Sequence, residues 1–265
     1  MMRNEGIDVV YTVATAAYRT AKNRDEIIDF IRQETGINVR ILSKKEESIA
    51  TMYAYGISSK YRLGIRESKN SFMIEQGGGS TEVSVFHHGD LLGSYSINIG
   101  TTTSRNAMFE ACAADMSVDM REAFKRSDQM LKERMVAFMN NMGDLMKDED
   151  EYFCVSVGTA ITRATGYNKN AEQHDRILTR ERIEAKIDSV TEKICSKFNS
   201  IGELYEWNQR VESNNSLDGF VTMRLGLPLY LYFFDRFNVK EIHVCGTGLW
   251  YGIYFQKLFN SLDLV

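Results

Sequence analysis

Along the first sixty residues, apolar positions follow two rhythms in turn. Residues 7–15, IDVVYTVAT, are a β-branched run that predicts a buried parallel strand. Asn23 then opens a stretch of helical period in which Ile27, Ile28 and Ile31 share one face and Gly36 stands at the stop position. Residues 37–42, INVRIL, predict a second strand. Ser43 with Glu46 three residues on has the capping-box pattern for a helix running to about Gly56. Strand, helix, strand and helix with short links predict a parallel sheet covered by helices.

From residue 70 the pattern changes. NSFMIE reads as a buried strand, and residues 81–100 read as two alternating strands joined around His88-Gly89-Asp90, a hairpin signal. A methionine-rich helical region over residues 103–142 follows. Then come a strand at 152–158, a helix at 179–198, a helix at 220–237, a strand at 241–246 and a closing helix from Gly248. The longest apolar run, residues 225–234, is about half of a bilayer span and predicts a core helix. There is no short repeat or low-complexity segment, and Pro228 is the single proline.

Composition narrows the class. The 265 residues are 43% hydrophobic and 26% charged, as in ordinary folded proteins, so global disorder is not expected. The formal net charge of −4 argues against broad nucleic-acid binding, although a local cleft can still be positive. Four cysteines and four histidines lack the spacings of a zinc or redox motif, which predicts free buried thiols in a reducing compartment. No export signal stands at the N-terminus. The expectation is a cytoplasmic protein with no membrane segment.

Chemistry concentrates in residues 72–86, FMIEQGGGSTEVSVF. A phosphate needs backbone N–H groups close to its oxygens, and glycine permits that approach and the positive φ values a cradle can require. Gly77, Gly78 and Gly79 provide this directly after a strand. Ser80 and Thr81 add hydroxyls, and Glu75 and Glu82 flank the loop with carboxylates able to hold Mg²⁺. The competing explanation is a glycine-rich hairpin connection with solvated carboxylates.

EQGGGSTEVSVF resembles the second phosphate loop of the exopolyphosphatase and guanosine pentaphosphate phosphohydrolase family, D-x-G-G-G-S-T-E before a hairpin. VATAAYRTAKN, the helix after it, GINVRILS and the paired-glutamate helix start resemble that family's upstream stretch. YFCVSVGTAITRAT is similar to its G-T-hydroxyl loop, and NVKEIHVCGTGLWYGIYF to its closing strand, glycine turn and helix. The resemblance thus runs in order over almost the whole chain.

It implies an α/β fold of two actin-like, ribonuclease-H-like lobes facing a cleft. It also implies Mg²⁺ dependence and release of terminal phosphate from polyphosphate or pentaphosphorylated guanosine. Position by position, Glu47 becomes the general base, and Gly77, Gly78, Gly79, Ser80, Thr81, Arg19 and Thr159 contact phosphate, with Gly158 before Thr159. Glu75 and Glu82 become the metal ligands. The alternative from another class is a catalytically impaired phosphate- or nucleotide-binding module.

Three departures accompany the resemblance. The family's first strand and D-x-G-S-x-S loop have no counterpart in residues 1–13, so the expectation is a truncated first lobe over residues 1–71 and a complete second lobe over 72–265. Such a first lobe would leave strand edges uncovered, predicting a homodimer, a partner chain or local disorder over residues 1–70. Glu75 replaces aspartate, and Trp250 and Tyr251 replace arginine and glutamate after the last glycine turn.

Overall fold

The structure is a computed structural model, and it describes residues 11–57, 64–142, 151–166, 177–210, 216–246, 248, 249 and 251–254. The chain opens with strand β1 (Thr12–Ala14), helices α1 (Ala16–Thr20) and α2 (Arg24–Thr35), strand β2 (Val39–Ile41) and helix α3 (Lys44–Ile57). β1 and β2 pair in parallel, Thr12 against Val39. Gly36 ends α2 in the left-handed conformation at φ 70°, as its stop position predicts. The capping box of α3 forms in full: Ser43 N donates to Glu46 Oε2 at 2.8 Å and Glu46 N to Ser43 Oγ at 3.2 Å. The predicted first strand extends to residues 7–10, which lie outside the described residues.

The larger sheet contains β3 (Asn70–Gln76), β4 (Thr81–His87), β5 (Asp90–Ile97), β6 (Tyr152–Gly158), β7 (Ile177–Leu178) and β8 (Ile242–Val244). Its order is β5-β4-β3-β6-β8-β7. β3, β4 and β5 are antiparallel neighbours, whereas β3, β6 and β8 run parallel. The predicted hairpin turn lies between β4 and β5, with positive φ at both His88 and Gly89.

Alternation along the strands separates two faces. Phe72, Ile74, Val83, Val85 and Cys154 point into the main core. That core is closed by α5 (Met120–Met142), α6 (Thr159–Ala164), α7 (Arg180–Cys195), α9 (Ser216–Gly226) and α10 (Pro228–Arg236). A second core packs α4 (Thr101–Ala111) and α8 (Ile201–Arg210) against α5, α7 and α9. Met73, Phe86, Val155 and Val157 point to the opposite face, where Ile65 packs and where α3 contacts the β3–β4–β5 hairpins.

Two predicted helices are divided. The region 103–142 is two helices, α4 and α5, because the carbonyls of Met116 and Val118 between them accept from the start of α8, at Gly202 N and Ile201 N (both 2.9 Å). The region 220–237 divides at Pro228, which has no N–H to continue a helical ladder.

The chain near residue 252 closes on α3. A Cβ placed on Gly252, which is buried, would overlap the main chain of Ala50. Ala50 and Ala54, one turn apart on α3, are small enough to admit this contact. Replacing Gly252 by valine should therefore force the two segments apart and cost about 1–3 kcal/mol, the usual range for overpacking. Thermal unfolding measures this as a lowered midpoint, and an unchanged midpoint would contradict the contact.

Candidate active site

The acidic residues predicted for the site converge on the face opposite the main core. Glu75 on β3 and Glu82 on β4 are direct cross-strand partners, so their side chains rise side by side. Ser96 on β5 stands opposite Glu82 and extends the row. Glu82 Oε1 accepts from Ser80 Oγ at 2.8 Å and from Ser96 Oγ at 3.1 Å.

Helix α3 covers this row. Glu47 lies in its first turn and is 6% exposed. One turn on, the same helical face brings Thr51, whose buried hydroxyl hydrogen-bonds Glu75 Oε2 and also reaches Glu47 O at 3.1 Å. Arg19, near the end of α1, donates from Nη1 to Glu47 Oε2 at 2.5 Å and to Leu42 O at 2.9 Å. Its Nη2 is buried with no hydrogen-bond partner among the described residues.

Of the three carboxylates, Glu47 is paired with the Arg19 guanidinium, Glu82 feels its charge, and Glu75 does neither. Burial pushes the Glu75 carboxyl up from 4.5 to about 8; the Thr51 hydrogen bond opposes the rise, and the charges of Glu47 and Glu82 add to it. Burial also raises Glu82, against the pull of Ser80, Ser96 and Arg19 and with the push of Glu47.

The glycine turn joins β3 to β4 at one end of this row. Gly77 N closes the turn on Ser80 O at 2.9 Å, so that amide is internal to the turn. The turn's carbonyls point at the first turn of α4: Thr101 N donates to Gly77 O at 3.1 Å, and Thr102 N and Thr103 N donate to Gly78 O at 2.8 and 3.1 Å. Gly100 lets α4 approach, since a Cβ there would strike the Gly78 carbonyl. Because the carbonyls face α4, the amides of Gly78, Gly79 and Ser80 are left without partners among the described residues.

No positive φ occurs at Gly77, Gly78 or Gly79, so backbone conformation does not require glycine there. Packing requires little either. A Cβ on Gly77 would meet only Ser80 O at 3.4 Å, one on Gly79 only the Ala16 side chain at 3.4 Å, and one on Gly78 the Thr102 hydroxyl at 3.0 Å. The glycines keep open the space over the turn.

The remaining predicted residues fall nearby with other partners. Thr81 is fully buried, and its hydroxyl donates to Ile99 O at 2.5 Å, securing the turn from behind. Gly158 pairs with Gln76 at the end of β6 and adopts φ 153°, and a Cβ there would lie 2.5 Å from Gln76 O. Thr159 follows it, exposed at the start of α6. Trp250 lies outside the described residues. Thr51, Ser96 and Ala16 were absent from the predicted set. Thr51 was findable from its i+4 spacing to Glu47; Ser96 and Ala16 come near only through tertiary pairing.

A Ppx/GppA phosphatase family model matches residues 3–261. The chain belongs to this family. Among solved Ppx/GppA structures, an enzyme of Aquifex aeolicus is 21% identical, with a TM-score of 0.63 over 96% of this chain and 77% of that chain. An exopolyphosphatase of Cytophaga hutchinsonii is 13% identical, with a TM-score of 0.68 over 98% of this chain and 78% of that chain. At such identities the likeness speaks for a shared fold, and the Ppx/GppA match supports the actin-like architecture expected from the motifs. No helix among the described residues is long and apolar enough to cross a membrane.

The raised Glu75 carboxyl makes this Ppx/GppA protein's stability pH-dependent. Below about 4.5 Glu75 is protonated folded and unfolded; between about 4.5 and 8 only the unfolded chain releases the proton, so stability falls as pH rises and levels off above 8. The thermal midpoint in chelator should decline across that window, and Glu75→Gln should flatten the decline. An equally steep decline in the variant would refute the assignment.

Proposed function

We propose that the protein is a phosphoanhydride hydrolase that releases terminal phosphate from inorganic polyphosphate or a polyphosphorylated guanosine nucleotide. The observation that carries the proposal is the turn at 77–80. Three amides without partners among the described residues lie beside an acidic cluster, and the glycines keep the approach open. Membership of the Ppx/GppA phosphatase family supports the reaction class.

In this reading the amides of Gly78, Gly79 and Ser80 grip oxygens of the terminal phosphate. Arg19 adds a charged donor through Nη2, and Thr159 adds a hydroxyl from the next strand end. Glu47 is the general base. Its Oε2 is fixed by Arg19, which leaves Oε1 to take a proton from the attacking water.

Glu75 and Glu82 fit a divalent cation such as Mg²⁺, because two opposed carboxylates, one buried and one partly so, repel unless a proton or a cation lies between them. Among the described residues no group of three or more potential ligands is disposed to hold a metal, so phosphate oxygens and water would complete such a shell. A bound Mg²⁺ would supply charge neutralisation at the phosphoryl oxygens.

Orthophosphate release from polyphosphate with Mg²⁺ tests the proposal. Glu47→Gln should lower the rate by about 10²–10⁴-fold, the usual worth of a general base. Equal rates in the two proteins would overturn the role of Glu47, and binding without turnover in the wild type would favour a binding module. Gly77→Ala should leave stability within about 0.5 kcal/mol, as expected where a Cβ makes a single contact, with Ser80 O at 3.4 Å, yet weaken polyphosphate affinity in calorimetry.

A further inference from the structure

Hydrolysis by in-line attack places the entering water and the leaving group on opposite sides of the phosphorus. The sheet supplies those two sides. Glu47, Arg19, Glu75 and Glu82 are gathered on one face, under α3. Helix α6 packs on the other, through Ile161 and Ala164 in the main core. A phosphate held by the turn with its water near Glu47 therefore directs the rest of the substrate towards α6.

The outer side of α6 has the residues to receive it. Thr159, Thr162 and Arg163, at i, i+3 and i+4, line the face not buried in the core. Thr159 follows Gly158, the register partner of Gln76, so it stands at the end of the strand next to the one that leads into the glycine turn. Arg163 is one helical turn further, about 6 Å along the axis. Arg163 is half-buried, and its guanidinium has neither an acidic partner nor a hydrogen bond among the described residues. Other arginines differ: Arg105 binds Asn208 and Asp218, Arg224 binds Asp128, and Arg19 binds Glu47. Gly219 leaves room for it, since a Cβ there would strike Arg163 Nη1.

We infer that Arg163 is a substrate-binding residue on the leaving-group side, holding the phosphate chain beyond the bond that is cleaved. The inference rests on the hydrolase reading and deepens it. The site favours a linear polyanion, with the turn amides, the Thr159 hydroxyl and the Arg163 guanidinium as successive contacts.

The test compares wild type, Arg163→Met and Arg163→Lys on tripolyphosphate and on long-chain polyphosphate, with Mg²⁺ and at two salt concentrations. Loss of one charge-assisted contact should raise KM for the long chain about tenfold in the Met variant, with a shallower dependence on salt. The Lys variant should recover part of the loss, and thermal midpoints should match. Equal KM in wild type and Arg163→Met on both substrates would overturn the inference. If the wild type releases no phosphate, the hydrolase reading fails, and calorimetric binding of long-chain polyphosphate still decides Arg163: a tenfold weaker Met variant upholds the contact and equal affinity removes it.

Discussion

Glu75 and Glu82 face each other across adjacent strands, with a third carboxylate, Glu47, lowered onto them by α3. Like charges opposed in a sheet are destabilising, and burial makes them more so. Arg19 answers one of the three charges, two serine hydroxyls and a threonine hydroxyl answer others in part, and a proton on Glu75 answers the rest. A cluster of this kind persists only where the surrounding architecture over-determines it. Here the strand register, the capped α3 and the packing of residue 252 on Ala50 all serve to do so.

The turn and the cluster are mechanically one unit. Helix α1, though only five residues long, carries Ala16 to the side of Gly79 and Arg19 to Glu47. On the other flank, Thr101, Thr102 and Thr103 tie the turn's carbonyls to the start of α4. The amides over the turn are available because the carbonyls on its underside are satisfied, which is how a loop can stay rigid and still leave donors unpaired.

Much of this was legible in the sequence where local rules dominate. The capping box at Ser43, the stop at Gly36 and the hairpin at His88-Gly89 are local chemistry, and each forms as read. The placement of Glu47, Glu75, Glu82, Arg19 and residues 77–80 together followed from motif resemblance, which carries tertiary information that periodicity lacks. What was not legible depended on distant partners. The division at residues 112–119 exists because α8 supplies the donors there, and α8 itself was not foreseen. The glycines are needed for open space over the turn, since none of the three has a positive φ. Thr81 is committed to Ile99 because the register of β4 against β5 turns its hydroxyl inward.

The contact between Gly252 and Ala50 joins positions some two hundred residues apart. A ribosome delivers α3 early and residue 252 late. α3 rests on β4 and β5 from one side, and the segment at residue 252 completes its seat from another. The packing that holds α3 over the acidic row is therefore complete only once a segment from far along the chain is in place.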